Sequence, residues 1–130
     1  MKKMLLTGLL LAGALQAGAN PALQTYMNEL AAEAGVKGFA PARGETIFHA
    51  KDQGGKSPSC TSCHTADLRN AGENAKTGKW IDPLAPSVNP KSLTDVKNVQ
   101  KWLRRNFRDV YGREGTAQEK GDVLAYILSR

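Results

Sequence analysis

Apolar residues recur at helical spacing over much of the chain. Leu23, Met27 and Leu30, with Tyr26 between them, mark a first helix. Asn20-Pro21 opens it as an N-cap followed by a helix-starting proline, and Gly35 and Gly38 close it. Pro41 opens a second helical segment whose apolar residues are Ile47 and Phe48. Val96, Val99, Leu103 and Val110 fall at steps of three, four and seven, which is one helical face. That helix is expected from near Ser92, with Asp95 as a capping-box-like signal, to about Tyr111, where Gly112 stops it. Thr116 and Glu119 form a capping box before a last helix with Val123, Leu124, Ile127 and Leu128 on one side. Lys51 to Ser59 is rich in Gly, Ser and Pro and reads as a loop. Arg69 to Pro90 is polar, punctuated by Gly72, Gly78, Pro83, Pro86 and Pro90, and reads as a long ordered loop wrapped over something. Period-two alternation is absent over any useful length, so the expected fold class is all-α.

The first residues stand apart. Met1-Lys2-Lys3 is basic, Met4 to Leu15 is apolar, and Ala17-Gly18-Ala19 is a small-residue run. This is the layout of a secretory signal peptide over residues 1–19, cleaved after Ala19, with the site after Ala17 as the rival. The apolar run is short of the roughly 20 residues a membrane span needs. The mature chain, residues 20–130, is then one domain in an exported, periplasmic protein. The formal charge of the whole chain is +6. Without Lys2 and Lys3 there remain 16 basic and 12 acidic side chains, a net +4. Such an excess suits an acidic protein partner. Nucleic acid is not indicated, because no basic stretch is interleaved with stacking aromatics.

Chemistry enters with Cys60-Thr61-Ser62-Cys63-His64. Two thiols about one helical turn apart can add to the two vinyl groups of one haem. A histidine directly after the second thiol reaches the iron from the proximal side. Cys60, Cys63 and His64 therefore predict one covalently bound haem c, with His64 as an iron ligand. A thioredoxin-like dithiol would need a preceding strand and a βαβ context, and a zinc site would need a second ligand pair where only His49 is left over.

The opposite side of the iron is less plain. Electron carriers of this size often place a methionine there. The mature chain holds only Met27, far upstream of the motif. His49, eleven residues before Cys60, is one candidate, and its bland reading is a surface histidine at a helix end. Asn106 is the other. It lies three after Leu103 and four before Val110, amid the apolar stripe. A buried amide without a partner costs on the order of 1–3 kcal/mol, so the partner is either a backbone carbonyl or water, or the iron. Trp102 precedes Asn106 by one turn and lines the same pocket on this reading. Trp80 is porphyrin contact or ordinary packing. Arg104, Arg105, Arg108 and Arg113 either meet an acidic partner or haem propionates, or form a solvated face.

Several stretches resemble the sphaeroides haem protein (SHP) family of small cytochromes c. They are Gly38-Phe39-Ala40-Pro41-Ala42-Arg43-Gly44-Glu45, Thr77-Gly78-Lys79, and Pro83-Leu84-Ala85-Pro86-Ser87-Val88-Asn89-Pro90. The resemblance is densest in Lys101-Trp102-Leu103-Arg104-Arg105-Asn106, and in Gly112-Arg113-Glu114, Thr116 and Glu119-Lys120. It implies a class I cytochrome c-type domain with an additional N-terminal helix, in which Gly44 and Phe48 cross Val123 and Tyr126. It implies Asn106 as a ferric iron ligand released on reduction, so that O2, NO or CO can bind ferrous iron. It implies a multihaem cytochrome c and a membrane b-type cytochrome as electron donors. The family's type member has a disulfide near this ligand, and the matching positions here are Phe107 and Gly115. That bridge cannot form, so the surroundings of Asn106 are either looser or held by Phe107 packing. No nucleophile–base pair or phosphate loop is present, which favours an electron-transfer or gas-binding protein over a turnover enzyme. A plain six-coordinate carrier and a haem-based gas-sensing module are the alternatives.

Overall fold

The structure, a computed structural model, describes residues 20–130. The leader expected over 1–19 lies outside the described residues. Helix α1 is Pro21–Ala34, α2 is Pro41–His49, α3 is Thr61–His64, α4 is Val96–Tyr111 and α5 is Ala117–Leu128. Two short strands, β1 (Gly72–Glu73) and β2 (Trp80–Ile81), lie between α3 and α4.

Helix α1 starts where its cap chemistry starts. The Asn20 side chain accepts from the Leu23 N–H at 2.8 Å, and Gly35 ends the helix in the left-handed region. Its buried face is Leu23, Met27 and Leu30. Helix α2 has no side-chain cap of its own. Its Ala40 N–H donates instead to Asp122 Oδ1 of α5 at 2.9 Å. The α5 capping box is formed as expected: the Glu119 N–H donates to Thr116 Oγ1, and the Thr116 N–H to Glu119 Oε1.

Helix α5 departs from the one-sided reading. Every residue from Gly121 to Ile127 is buried, while Leu128 is only half-buried. The helix is packed by α1 and by α2, so it needs no polar face in its middle. Asp122 is the one acid inside, 2 % exposed. It is satisfied by Arg43, whose Nε and a terminal nitrogen donate at 2.9 and 3.2 Å, and by Ala40. Beside it, a Cβ on Gly44 would collide with the Asp122 carbonyl and lie 2.8 Å from the Tyr126 Cβ. Glycine therefore lets the α2 and α5 backbones touch.

Helix α4 begins at Val96, not near Ser92. Leu93 takes a positive φ of 59°, which breaks helical continuity, and the Ser92 hydroxyl donates to the Leu84 carbonyl. Asp95 is the cap itself, accepting from Asn98 N–H at 3.2 Å. The 51–59 loop is tied to the far end of this helix. Gly55 and Ser57 N–H groups donate to the carbonyls of Val110 and Asp109 at 2.9 and 2.7 Å. Tyr111 Oη donates to the Ile47 carbonyl at 2.7 Å, joining α4 to α2.

The long segment after the haem motif is ordered, but not wholly loop. β1 and β2 pair antiparallel, Gly72 opposite Ile81 and Glu73 opposite Trp80. Asn74 Oδ1 accepts from the N–H groups of Lys76 and Thr77 and shapes the tip, with Gly78 at φ 69°. Two-residue strands are too short to show alternation, which is why the sequence does not announce them. At the base of the segment the Ala85 N–H donates to the Leu68 carbonyl at 2.9 Å, and both residues are fully buried.

Glu119 also accepts a bidentate pair from Arg113 at 2.8 and 2.9 Å. Hydrogen bonding by Arg113 lowers its pKa from 4.5 to about 2, against the opposing effect of burial. A depressed carboxylate contributes stability that is complete above its unfolded pKa and lost as pH falls through the folded one. The urea midpoint should therefore drop between about pH 4.5 and about 2. Glu119→Gln, which keeps the cap but not the charge, should flatten that drop; an unchanged acid limb would contradict the assignment.

Candidate haem site

Helix α3 is a single turn held from its first residues. Cys60 is its N-cap, and the Cys60 carbonyl accepts from the His64 N–H at 3.2 Å. Just before it, buried Ser59 donates its N–H to Ser62 Oγ at 3.1 Å, and its hydroxyl meets Thr61 Oγ1 at 2.6 Å. These short polar side chains tie the residue before the helix to its first turn, whose Ser62 N–H donates back to the Ser59 carbonyl at 3.2 Å. Thr65, at φ 66°, ends the turn, and its hydroxyl donates to the Asp67 carbonyl at 2.8 Å. Strand β1 then returns against α3. A Cβ on Gly72 would collide with the Cys63 carbonyl, and the Ala75 N–H points at Cys63 Sγ from 3.5 Å. Gly72 thus closes the approach of the hairpin to the motif, a role its sequence signal as loop punctuation does not convey.

Both thiols are free and half-buried. Burial pushes the Cys60 thiol up to about 11, so it stays protonated at neutral pH. Burial lowers His64 from 6.5 to about 4, so its imidazole is neutral there and keeps a lone pair for a metal. Phe48 packs on this ring, centroids 5.8 Å apart and planes at 49°. Phe48 also reaches Tyr126 at 5.7 Å, so the α2–α5 crossing backs the histidine. Among the described residues no group of three or more His, Cys, Asp or Glu side chains is placed to cage a metal ion. Two half-buried thiols one turn apart and a neutral histidine fit a covalently attached haem rather than a zinc site. Cys60 and Cys63 would hold it through thioethers and His64 through the iron, where the group supplies a one-electron couple and a site for a further ligand.

A solvent-open recess of about 530 Å³ lies beside the thiols, lined by Cys63, Gly72, Glu73 and Trp80 among others. A second, of about 380 Å³, lies on the other side of the hairpin, between Asn74 and Trp102, Arg105, Arg108 and Asp109 of α4. Hairpin residues thus line recesses with both the haem motif and α4.

Comparison with known proteins agrees with this geometry. A family described as a domain of unknown function (DUF1924) matches residues 34–127. Cytochrome c-type protein SHP of Cereibacter sphaeroides is 42% identical over 130 residues, covering 96% of this chain and all of that one. The chain belongs to the SHP family of c-type cytochromes. A solved structure of oxidized SHP, an oxygen-binding cytochrome c, superposes with a TM-score of 0.76 at 42% identity, over 82% of this chain and 96% of that one. Cytochrome c'' of Methylophilus methylotrophus is similar at 34% identity with a TM-score of 0.67, over 82% of this chain and 89% of that one. The fold is thus the cytochrome c fold expected from the sequence, and the family carries covalent haem c.

The other candidate residues of this SHP-family chain fall into distinct places. Met27 is buried in the α1 core face, away from the haem motif's own helix. His49 is half-buried at the end of α2, its Nε2 3.2 Å from Tyr126 Oη, and its neighbour Phe48, not His49, packs on the His64 ring. It is a helix-end histidine with a tyrosine partner. Trp102 and Asn106 sit together on α4, one turn apart, with Trp102 48 % exposed. Asn106 is half-buried, not central in the apolar stripe: Phe107 joins Val99, Leu103 and Val110 as the buried face, while Val96 is only half-buried. Among the described residues no hydrogen bond engages the Asn106 side-chain amide, so the backbone carbonyl expected as one possible partner is not there. Trp80 is 74 % exposed, its Nε1 donating to Asp82. Arg113 is engaged by Glu119, whereas Arg104, Arg105 and Arg108 face solvent.

Phe107 and Gly115 meet in space. A Cβ on Gly115 would lie 2.8 Å from Phe107 ring atoms, and Phe107 is 5 % exposed. The ring fills the position where a cross-link is missing and fixes the C-terminal half of α4 to the segment before α5.

Removing one attachment point tests the site. Cys60→Ala should leave a haem held by one thioether, seen as a red-shifted pyridine haemochrome with the haem mass still on the polypeptide. An unshifted haemochrome would show that Cys60 takes no part.

Proposed function

We propose that this protein is an exported, periplasmic monohaem cytochrome c. In this reading it accepts electrons and binds a diatomic ligand, O2, NO or CO, once reduced. The observation that carries the reading is the Asn106 amide. It borders the buried face of α4, half-buried and without a hydrogen-bond partner among the described residues. The competing donors are committed elsewhere, Met27 to the core and His49 to Tyr126.

The amide oxygen of Asn106 is a hard, neutral donor. It favours ferric over ferrous iron, so its hold weakens when the charge on the metal falls. Trp102, one turn earlier, walls the same edge of the helix. Phe107 packed on Gly115 keeps the helix in place while the side chain alone swings, so release needs no backbone movement. On the proximal side His64 stays fixed by Phe48. The relatives support this reading at two points. SHP is an oxygen-binding cytochrome c, and for cytochrome c'' haem-ligand detachment has been described. The electron donors we infer are a multihaem cytochrome c and a membrane b-type cytochrome.

Asn106→Ala should alter the ferric absorption and EPR spectra while leaving carbon monoxide binding to the ferrous protein intact. Asn106→Met should do the reverse, raising the reduction potential and blocking the gas, because thioether sulfur favours ferrous iron. A ferric spectrum unaltered by Asn106→Ala would remove Asn106 from the iron.

A further inference from the structure

The positive charge of the described chain is not spread evenly. Helix α4 and the hairpin, residues 72–81 and 96–111, carry seven basic and two acidic side chains. The rest of residues 20–130 carries nine basic and ten acidic. The entire excess therefore lies on these two elements. Within α4 the cations Lys97, Lys101, Arg104, Arg105 and Arg108 recur at helical steps on the side opposite Val99, Leu103 and Val110. Lys97, Arg104, Arg105 and Arg108 are exposed. Like charges at these spacings repel, so the fold gains nothing from collecting them. Lys76 of the hairpin reaches Asp109 at 3.9 Å, the sole acid of α4, which makes the two elements one continuous strip.

Two further features lie on that strip. Trp80 and Trp102 are among the few large exposed apolar side chains of the described residues. Trp102 is flanked by cations, Lys101 Nζ at 5.0 Å and Arg105 at 5.5 Å from its ring centre. Trp80 lines the recess that contains Cys63, and the hairpin's Ala75 N–H points at that sulfur. A basic field with exposed tryptophans is the chemistry of a protein interface, where aromatics anchor and charge steers encounter. The neighbouring thioether position makes a redox partner, rather than a lipid surface, the fitting occupant.

We propose that the hairpin and the exposed face of α4 form the docking surface for an acidic electron-transfer protein, with Trp80 and Trp102 as its apolar anchors. The proposal rests on the electron-transfer reading above. In the docked pair one electron leaves the reduced partner, which is oxidised by one unit, and ferric haem becomes ferrous; no bond forms or breaks between the proteins.

The probe is flavodoxin, an acidic flavoprotein, in its hydroquinone form. It reduces the ferric holoprotein in a stopped-flow instrument and is itself oxidised to the semiquinone. The second-order rate should fall at least about ten-fold from 10 to 200 mM salt, as the screening length shrinks from about 30 Å to under 10 Å. At low salt Arg105→Glu/Arg108→Glu and, independently, Lys76→Glu/Lys79→Glu should each slow it at least about five-fold. Trp80→Ser should slow it at both salt concentrations. The control Lys37→Glu/Lys51→Glu changes charge equally elsewhere on the surface and should leave the rate within about two-fold. Equal slowing by the control, or full rates in both strip variants, would overturn the proposal. So would strip-dependent sedimentation with phosphatidylglycerol vesicles in place of the flavodoxin effect. Carbon monoxide difference spectra on the unmodified protein judge the gas-binding reading separately, since the docking surface is decided by the rates alone.

Discussion

The structure turns on the place where α2 and α5 touch with no side chain between them. At Gly44 the α2 backbone lies against the Asp122 carbonyl, and the Asp122 carboxylate caps α2 through Ala40 and holds Arg43. A buried carboxylate is costly unless its oxygens are filled, and here three donors fill them. One turn beyond Gly44, Phe48 is set against His64 and Tyr126 at once. His64 is thus positioned by helix packing rather than by its own short helix. That short helix could not manage alone: a single turn has one or two internal hydrogen bonds and no buried residue.

The other side of the haem motif is built differently. The hairpin meets α4 through an exposed ion pair, Lys76 with Asp109, while the 51–59 loop is tied to the end of α4 by backbone hydrogen bonds. Such an arrangement leaves Asn106 half-exposed while Phe107 and its neighbours hold the helix axis. If Asn106 binds and releases the iron as proposed, this pairing of a packed histidine side with an open α4 edge lets a single side chain move.

Much of this was legible in the residues. Caps and stops at Asn20, Pro41, Gly112 and Thr116 are local chemistry, and they lie where the spacing put them. The haem motif is five consecutive residues, and the family resemblance is borne out by a relative matched along nearly the whole chain. What escaped depended on partners distant in sequence. The start of α4 yielded to the left-handed Leu93, the hairpin was too short to alternate, and α5 was buried on all sides because two helices cover it. The spacing of Val96, Val99, Leu103 and Val110 puts Asn106 amid their stripe, yet Phe107 packing on Gly115 rotates the buried face away. That rotation leaves the amide unpartnered at the edge of the helix, and so strengthens its candidacy as a ligand that comes and goes.

Reduction, on the proposed reading, opens a coordination position at the iron. The most direct measurement is the absorption spectrum of the anaerobically reduced protein before and after carbon monoxide. The expected result is a high-spin ferrous spectrum whose Soret band sharpens and shifts when the gas is added. A low-spin ferrous spectrum that carbon monoxide leaves unchanged would contradict it.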